Sequence, residues 1–317
     1  MNLESLFQER VEISGNLIKM DSQYLEAKNQ KQTTGIFSDK WEKVDKSENN
    51  NIFFDFQYQW FFDLYGFKDE NDISNYLKDK KIIVDTGCGL GYKAAWLAKL
   101  APNSVVIGID ISDACLIAAK NYSDIPNLFF LKRDIADTKL VNNSVDFMIC
   151  DQVIMHTENP DFTFKHLAMK TKREGEFACY FYRKKALPRE LVDDYFRNNV
   201  HKYSNEQIWK FSEQLTELGK RLDALKIDFE VPEIELLGIE KGKMSIQRFV
   251  YWNFLKCFWR DDWGFDMSMS TNYDWYAPSN ARRFSVEEVN HILSENKMKS
   301  THFHQEEACF SGRFVHI

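Results

Sequence analysis

The chain has 317 residues, 44% of them hydrophobic and 15% aromatic, enough for one enlarged domain or a domain with a substantial insertion. Its formal net charge of −7 argues against a broad nucleic-acid-binding surface, which needs a basic footprint. The opening residues are polar and charged rather than apolar, and no apolar run approaches the ~20 residues of a membrane span, so a cytoplasmic protein without a membrane anchor is expected.

In chain order, residues 2–30 read as helical from their Glu, Lys and Gln content, 31–50 as polar and irregular, and the aromatic-dense 52–66 as a buried helix that Gly66 ends. No clear strand is expected before residue 80. From 81 the texture changes to short β-rich runs alternating with helical ones. Strands are predicted at 81–86, 104–110, 128–134, 145–151 and 175–183, with helices at 92–100, 114–122 and about 160–172. That alternation predicts a doubly wound α/β fold, a mostly parallel sheet with right-handed crossovers and helices on both faces. Residues 187–226 read as helical and charged, and 244–263 are rich in aromatics. Ser285 and Glu288 have the spacing of a capping box for a helix over 285–297. Two closing strands, 301–309 and 312–317, are expected to turn at Ser311-Gly312 and to complete a seven-stranded sheet. Four regions follow: an N-terminal helical and aromatic lid segment (1–80), a core (81–183), a helical, aromatic-rich cap insertion (184–284), and the last helix with its hairpin (285–317).

In such a sheet, ligands bind beyond the carboxyl ends of the strands, near the switch in strand order. There Asp85-Thr86-Gly87-Cys88-Gly89-Leu90-Gly91 follows a strand and opens a helix, and the glycines allow a sharp turn and close ligand approach. The spacing is GxGxG, tighter than the GxGxxG of dinucleotide folds, which disfavours a nicotinamide dehydrogenase. The next strand ends in Asp110-Ile111, where a carboxylate can accept from both hydroxyls of a ribose. The third ends in Asp134-Ile135, a pair suited to an adenine edge, and the fourth in Asp151-Gln152. One acid alone is unremarkable in a loop; four at successive strand ends form a pattern.

VDTGCGLG, GID, KRDIAD and ICDQVIMHTENP resemble the successive S-adenosylmethionine (SAM) binding motifs of class I, Rossmann-like methyltransferases, over residues 80–183. VIMHTENP is most similar to the small-molecule branch. The resemblance implies that Gly87, Gly89 and Gly91 pass under the methionine moiety, with Cys88 among them. It implies Asp110 and Ile111 at the ribose, Asp134 and Ile135 at adenine, and Asp151 and Gln152 beside the transferred methyl. The flanks are similar to methyltransferases of bacterial polysaccharide and natural-product gene sets. FSDKW (37–41) stands for their N-terminal aromatic element, which adds Trp41 to the cofactor set, and Asp274-Trp275-Tyr276-Ala277-Pro278 with Arg282 for a late one. Where those proteins often carry Arg after the glycine turn, this chain has Tyr92, with Lys93 the alternative contact for the methionine carboxylate.

Methyl transfer from a sulfonium releases a neutral leaving group, so alignment matters most and a base only if the nucleophile must lose a proton. His156 is the first candidate base and Asp151 the second. Tyr273, Trp275, Tyr276 and Arg282 are expected at the acceptor mouth with His156, and Arg282 or Arg283 suits an anionic acceptor. The aromatics of 244–263 either pack the insertion or line the pocket. His302, His304 and Glu306 alternate along a strand, but an edge strand explains them better than a metal site. The six cysteines show no CxxC spacing and read as buried free thiols. The expected function is SAM-dependent methyl transfer to a small-molecule acceptor such as a sugar or natural product. The alternatives are a protein or RNA methyltransferase and a non-enzymatic SAM-binding protein.

Overall fold

The computed structural model describes residues 3–22, 26–47 and 50–317. Five hydrophobic runs form the parallel centre: β3 (Ile82–Thr86), β4 (Val105–Asp110), β5 (Leu128–Lys132), β6 (Val145–Cys150) and β7 (Thr171–Tyr182), in the order β5-β4-β3-β6-β7. β3 is buried at every position, as a strand covered by helices on both faces must be. The chain reverses from β4 and β5 on one side of β3 to β6 and β7 on the other, so the switch in strand order falls at the end of β3.

After α11 (Val286–Glu295), β11 (Cys309–His316) adds antiparallel to β7, and β10 (Met298–Gln305) adds antiparallel to β11 at the edge. The capping box at Ser285 is present: Ser285 Oγ accepts from Glu288 N at 3.3 Å, and Glu288 Oε2 accepts from Ser285 N at 2.7 Å. The hairpin turn, however, lies at 306–308 and not at Ser311-Gly312. Gly312 is paired inside β11, where a Cβ would stand 2.4 Å from His302 O, so its glycine serves close strand packing.

The sheet has nine strands rather than seven. The extra pair is β1 (Val11–Ser14) and β2 (Leu17–Met20), a hairpin on which β2 runs parallel to β5. A helix was expected over 2–30; the strands replace it, and residues 2 and 23–25 lie outside the described ones. Gly15 and Asn16 form a two-residue loop with Gly15 at φ +64°, and Val11 and Ile18 are buried.

The stretch expected to be irregular, 31–50, holds α1 (Lys28–Asp45); residues 48–49 are not described. Thr33, Ile36, Lys40 and Val44 are buried at helical spacing, and the stripe is half polar because its partners are polar. Lys40 Nζ pairs with Asp274 at 2.6 Å, and the Gln32 side chain donates to Ala277 O and accepts from Ser279 N. α2 (Asn50–Tyr65) is the expected aromatic helix, ended by Gly66 at φ +71°.

Between β7 and α11 the chain forms α7 (Leu187–Asn199), α8 (Asn205–Ala224), α9 (Ile246–Asn253) and α10 (Gly264–Tyr276), together with a small antiparallel pair, β8 (Asp228–Val231) and β9 (Gly242–Ser245). α1 packs on α10, and α8 on α10 and α9. No helix among the described residues is long and apolar enough to cross a membrane, and the six cysteines are buried and unpaired.

Candidate active site

The turn after β3 is held by backbone bonds. Gly87 N and Cys88 N donate to Ile109 O at 2.6 and 3.1 Å, and Gly91 N donates to Cys88 O at 2.8 Å. Gly87 has φ +73°, and a Cβ there would stand 2.3 Å from Val153 Cγ2, so both conformation and contact require glycine. Asp110 ends β4 and clamps the turn from the side. Its Oδ2 accepts from Gly89 N at 2.8 Å, and its Oδ1 accepts from Ser112 N and Oγ at 2.8 and 2.6 Å. Asp134, just past β5, caps a short turn by accepting from Ala136 N at 2.9 Å. Burial pushes both carboxyls above the usual range; for Asp110 the bonds to Ser112 and Gly89 oppose it.

Two further acids differ in their partners. Asp151 is fully engaged: Tyr65 Oη donates to Oδ1 at 2.8 Å, while the buried Lys93 ammonium pairs with Oδ2 and Gln152 Nε2 reaches it at 3.2 Å. Asp85 is 3% exposed, and its Oδ2 has no hydrogen-bond partner among the described residues. Burial raises its carboxyl to about 7, opposed by Lys93 and reinforced by Asp151 and Asp110. A buried carboxylate oxygen with no donor is costly, so this atom suits a cationic ligand group. Gln152, beside it, has φ +62°, an uncommon backbone for a residue with a Cβ, and donates to Gln57 Oε1 at 2.6 Å.

These residues open into a cavity of about 510 Å³, bounded by the carboxyl ends of β3 to β7 and by α1, α2, α7, α9, α10 and the coil 254–263. Its volume suits a small-molecule site. Tyr182, Tyr251, Trp252 and Trp275 line it among cationic side chains, and His156 lines it too. The His156 ring packs edge-on to Phe37 and Tyr182, with centroids 4.9 and 5.5 Å away. Nδ1 is 2.7 Å from Asn280 O, which can only accept, so Nδ1 carries the hydrogen and Nε2 is left as an acceptor. Burial lowers its pKa to about 4, making the imidazole neutral at pH 7.

Of the residues singled out from sequence, Trp41, Asp85, Gly87, Cys88, Asp110, Ile111, Asp134, Ile135, Asp151, Gln152, His156 and Trp275 line this cavity. Gly89, Gly91, Tyr273, Tyr276 and Arg282 do not. Gly89 packs beneath Trp41, and a Cβ on Gly91 would strike Phe130 and Ala118, so these glycines shape the turn from behind. Tyr273 is stacked on Trp209 at 3.8 Å and donates to Asp39, serving the contact of α10 with α8 and α1. Tyr276 Oη accepts from Lys256 N at 2.8 Å. Arg282 turns outward to Asp161 at 2.8 Å and Glu288 at 3.4 Å. Asp151 is also not free to act as a base, because Tyr65, Lys93 and Gln152 already occupy its oxygens. Sequence reasoning missed Gln57, Lys185, Arg189, Arg248 and Lys256. Lys185 and Arg189 had a usable signal: they follow directly on the carboxyl end of the fifth strand.

Comparison with known proteins decides the family. A family model described as a methyltransferase domain matches residues 77–248, more than half of the chain. The chain belongs to that family. Residues 77–248 therefore form a methyltransferase domain. An uncharacterised protein of Synechococcus sp. is 29% identical over 104 residues, which span 32% of this chain and only 25% of that protein. Among solved structures, PKMT2 from Rickettsia typhi, in complex with AdoHcy, has a similar fold. It is 14% identical, with a TM-score of 0.50, over 74% of this chain and 49% of that one. Magnesium protoporphyrin IX methyltransferase from Synechocystis, with bound SAH, aligns over 91% of this chain and all of its own, at 14% identity and a TM-score of 0.47.

Proposed function

We propose that the protein transfers a methyl group from SAM to a small-molecule acceptor held in the cavity, with α1 and α2 of the N-terminal region acting as lid and residues 184–284 as cap. The observation that carries this reading is Asp85 Oδ2, buried at the cavity wall beside the glycine turn with no donor of its own. That atom suits the α-ammonium group of SAM, whose positive charge would favour the ionised form of a carboxyl that burial raises to about 7. Asp110 keeps about one acceptor position free for a ribose hydroxyl, since a carboxylate has about four and the protein uses three. Asp134 and Ile135 offer an acceptor and an apolar face to adenine.

SAM, when bound, supplies an electrophilic methyl on a sulfonium. The protein's part is then alignment and exclusion of water by the aromatic walls. Gln152 lines the cavity beside Asp151, and Tyr182 lines it against Trp275. His156 orients the nucleophile through Nε2 and receives its proton as the new bond forms. With a pKa about 4 it does this as a weak base that is always neutral in the working range. A concave cavity of about 510 Å³, lined largely by apolar and aromatic side chains, suits a small acceptor. Calorimetry with SAM and with NAD tests the donor: SAM should bind with micromolar affinity and NAD not at all, and NAD binding without SAM binding would refute the reading.

A further inference from the structure

The acceptor wall carries more positive charge than the fold requires. Lys185, Arg189, Arg248 and Lys256 all line the cavity and are grouped on three rings that line it too. Lys185 Nζ lies 5.3 Å from the Trp252 ring and Lys256 Nζ 4.5 Å from the Trp275 ring, while Arg248 lies 5.4 Å from Tyr251. Arg189 bridges the set, 5.5 Å from Tyr251 and 5.0 Å from Trp275, and Tyr251 packs edge-on to Trp252 at 4.5 Å. Arg189 is neutralised by Asp193, which accepts from Nε at 2.9 and 3.1 Å.

The other three are not matched in this way. Lys185 Nζ donates only to carbonyls, those of Arg183, Glu307 and Ala308, which satisfy its hydrogens but not its charge. The nearest carboxylate to Lys256 is Asp274, 4.0 Å away and already paired with Lys40 at 2.6 Å. Arg248 has no ion-pair partner among the described residues, and its only charged-group contact is with the Tyr251 ring. Of the remaining charged groups lining this end, Arg260 is forked onto Asp262, and Glu306 is held by Trp60 and His304. Trp275 Nε1 is a further buried donor without an acceptor among the described residues. Burying cations without counter-charge is costly in an empty pocket, and an anion relieves the cost. The burial shows in the titration of the lysines: burial, aided by the Arg189 charge, lowers Lys185 to about 7 and Lys256 to about 8.

Resting on the methyl-transfer reading above, we infer that the acceptor is an anion with a planar apolar body. Its carboxylate or phosphate is held by Lys256 and Arg248, with Lys185 adding charge but no hydrogen bond, and its ring system lies against Tyr251, Trp252 and Trp275. Arginine on an aromatic face suits either oxyanion, and the rings accept a flat apolar body.

The test uses three probes of one shape, 1-naphthoate, 1-naphthyl phosphate and neutral 1-naphthamide. They are titrated calorimetrically into the full chain with and without saturating S-adenosylhomocysteine. One of the two anions should bind at least tenfold tighter than the amide, and the stronger anion identifies the group. Arg248→Gln should weaken that anion at least fivefold while leaving the amide and S-adenosylhomocysteine unchanged, and Lys256→Met at least tenfold. If Lys256→Met does not fold by circular dichroism, the half-buried Arg248 carries the test. Equal affinity for the amide, no anion binding at millimolar concentration, or an unaffected anion in Arg248→Gln overturns the inference. Failure of S-adenosylhomocysteine to bind sinks the donor reading instead, and leaves the anion preference to be read from the titrations without it.

Discussion

The two ends of the cavity are built by different means. The donor end consists of strand termini and backbone: Asp85, Asp110, Asp134 and Asp151 each stand where a parallel strand stops, within a rigid sheet. The acceptor end is assembled from α1, α2, α7, α9, α10 and the coil 254–263, and its side chains meet only through tertiary packing. Donor chemistry is therefore tied to the fold itself, whereas acceptor chemistry can vary with helices that do not shape the sheet.

Substitutions can sharpen or break that contrast. The largest effect is expected from Asp110→Ala, which removes a ligand acceptor and the clamp on Gly89 and Ser112 together. SAM affinity should fall about 100-fold, near 3 kcal/mol. A calorimetric loss under threefold would show that the donor end does not depend on this strand terminus. Asp85→Asn comes next and acts in opposite directions on stability and binding. The folded carboxyl titrates at about 7 against 3.8 in the unfolded chain, so its native form is favoured below pH 4 and that advantage is lost as pH rises through 7. Without ligand, the variant should be about 1–3 kcal/mol more stable than the parent at pH 8 and similar to it at pH 4, while SAM affinity falls. Thermal unfolding at the two pH values reads this, and equal stability at pH 8 would contradict a donor end strained for its ligand. His156→Gln, at the boundary between the ends, should lower kcat about tenfold with SAM Kd unchanged. Since its pKa lies at about 4, the parent rate should show no titration of this group from pH 6 to 8. The smallest effect belongs to Arg282→Ala. Its side chain faces Asp161 and Glu288, so kcat/KM should stay within twofold and stability within about 1 kcal/mol. A clear rise in acceptor KM would return Arg282 to the substrate site.

The same contrast explains what could be read from sequence. Alternating hydrophobic runs placed β3 to β7 and hence the four acids, because strand ends in such a sheet converge on one edge. The N-terminal region was misread for two reasons. The Glu-rich and Lys-rich texture outweighed the two-residue Gly15-Asn16 turn between VEIS and LIKM. α1, with Thr33, Thr34 and Gly35 in its middle, has weak intrinsic helix propensity and is held by α10 through Lys40–Asp274. Tyr273, Tyr276 and Arg282 are expected at the mouth because the insertion rejoins the core there, but Arg282 lies in coil beyond α10 and only the two tyrosines share a helix with Trp275. On one helix, however, adjacent residues face different ways, and a linear motif cannot say which of them faces the cavity.

The β1–β2 hairpin has a consequence outside catalysis. Without it, β5 would present the run LFFLK as an open sheet edge, a template for pairing with other chains. The hairpin moves that edge out to a four-residue strand whose Glu12, Ile13 and Ser14 are exposed. So short and mixed a border offers a second molecule little to extend, and colloidal solubility is thereby guarded by a segment remote from the cavity.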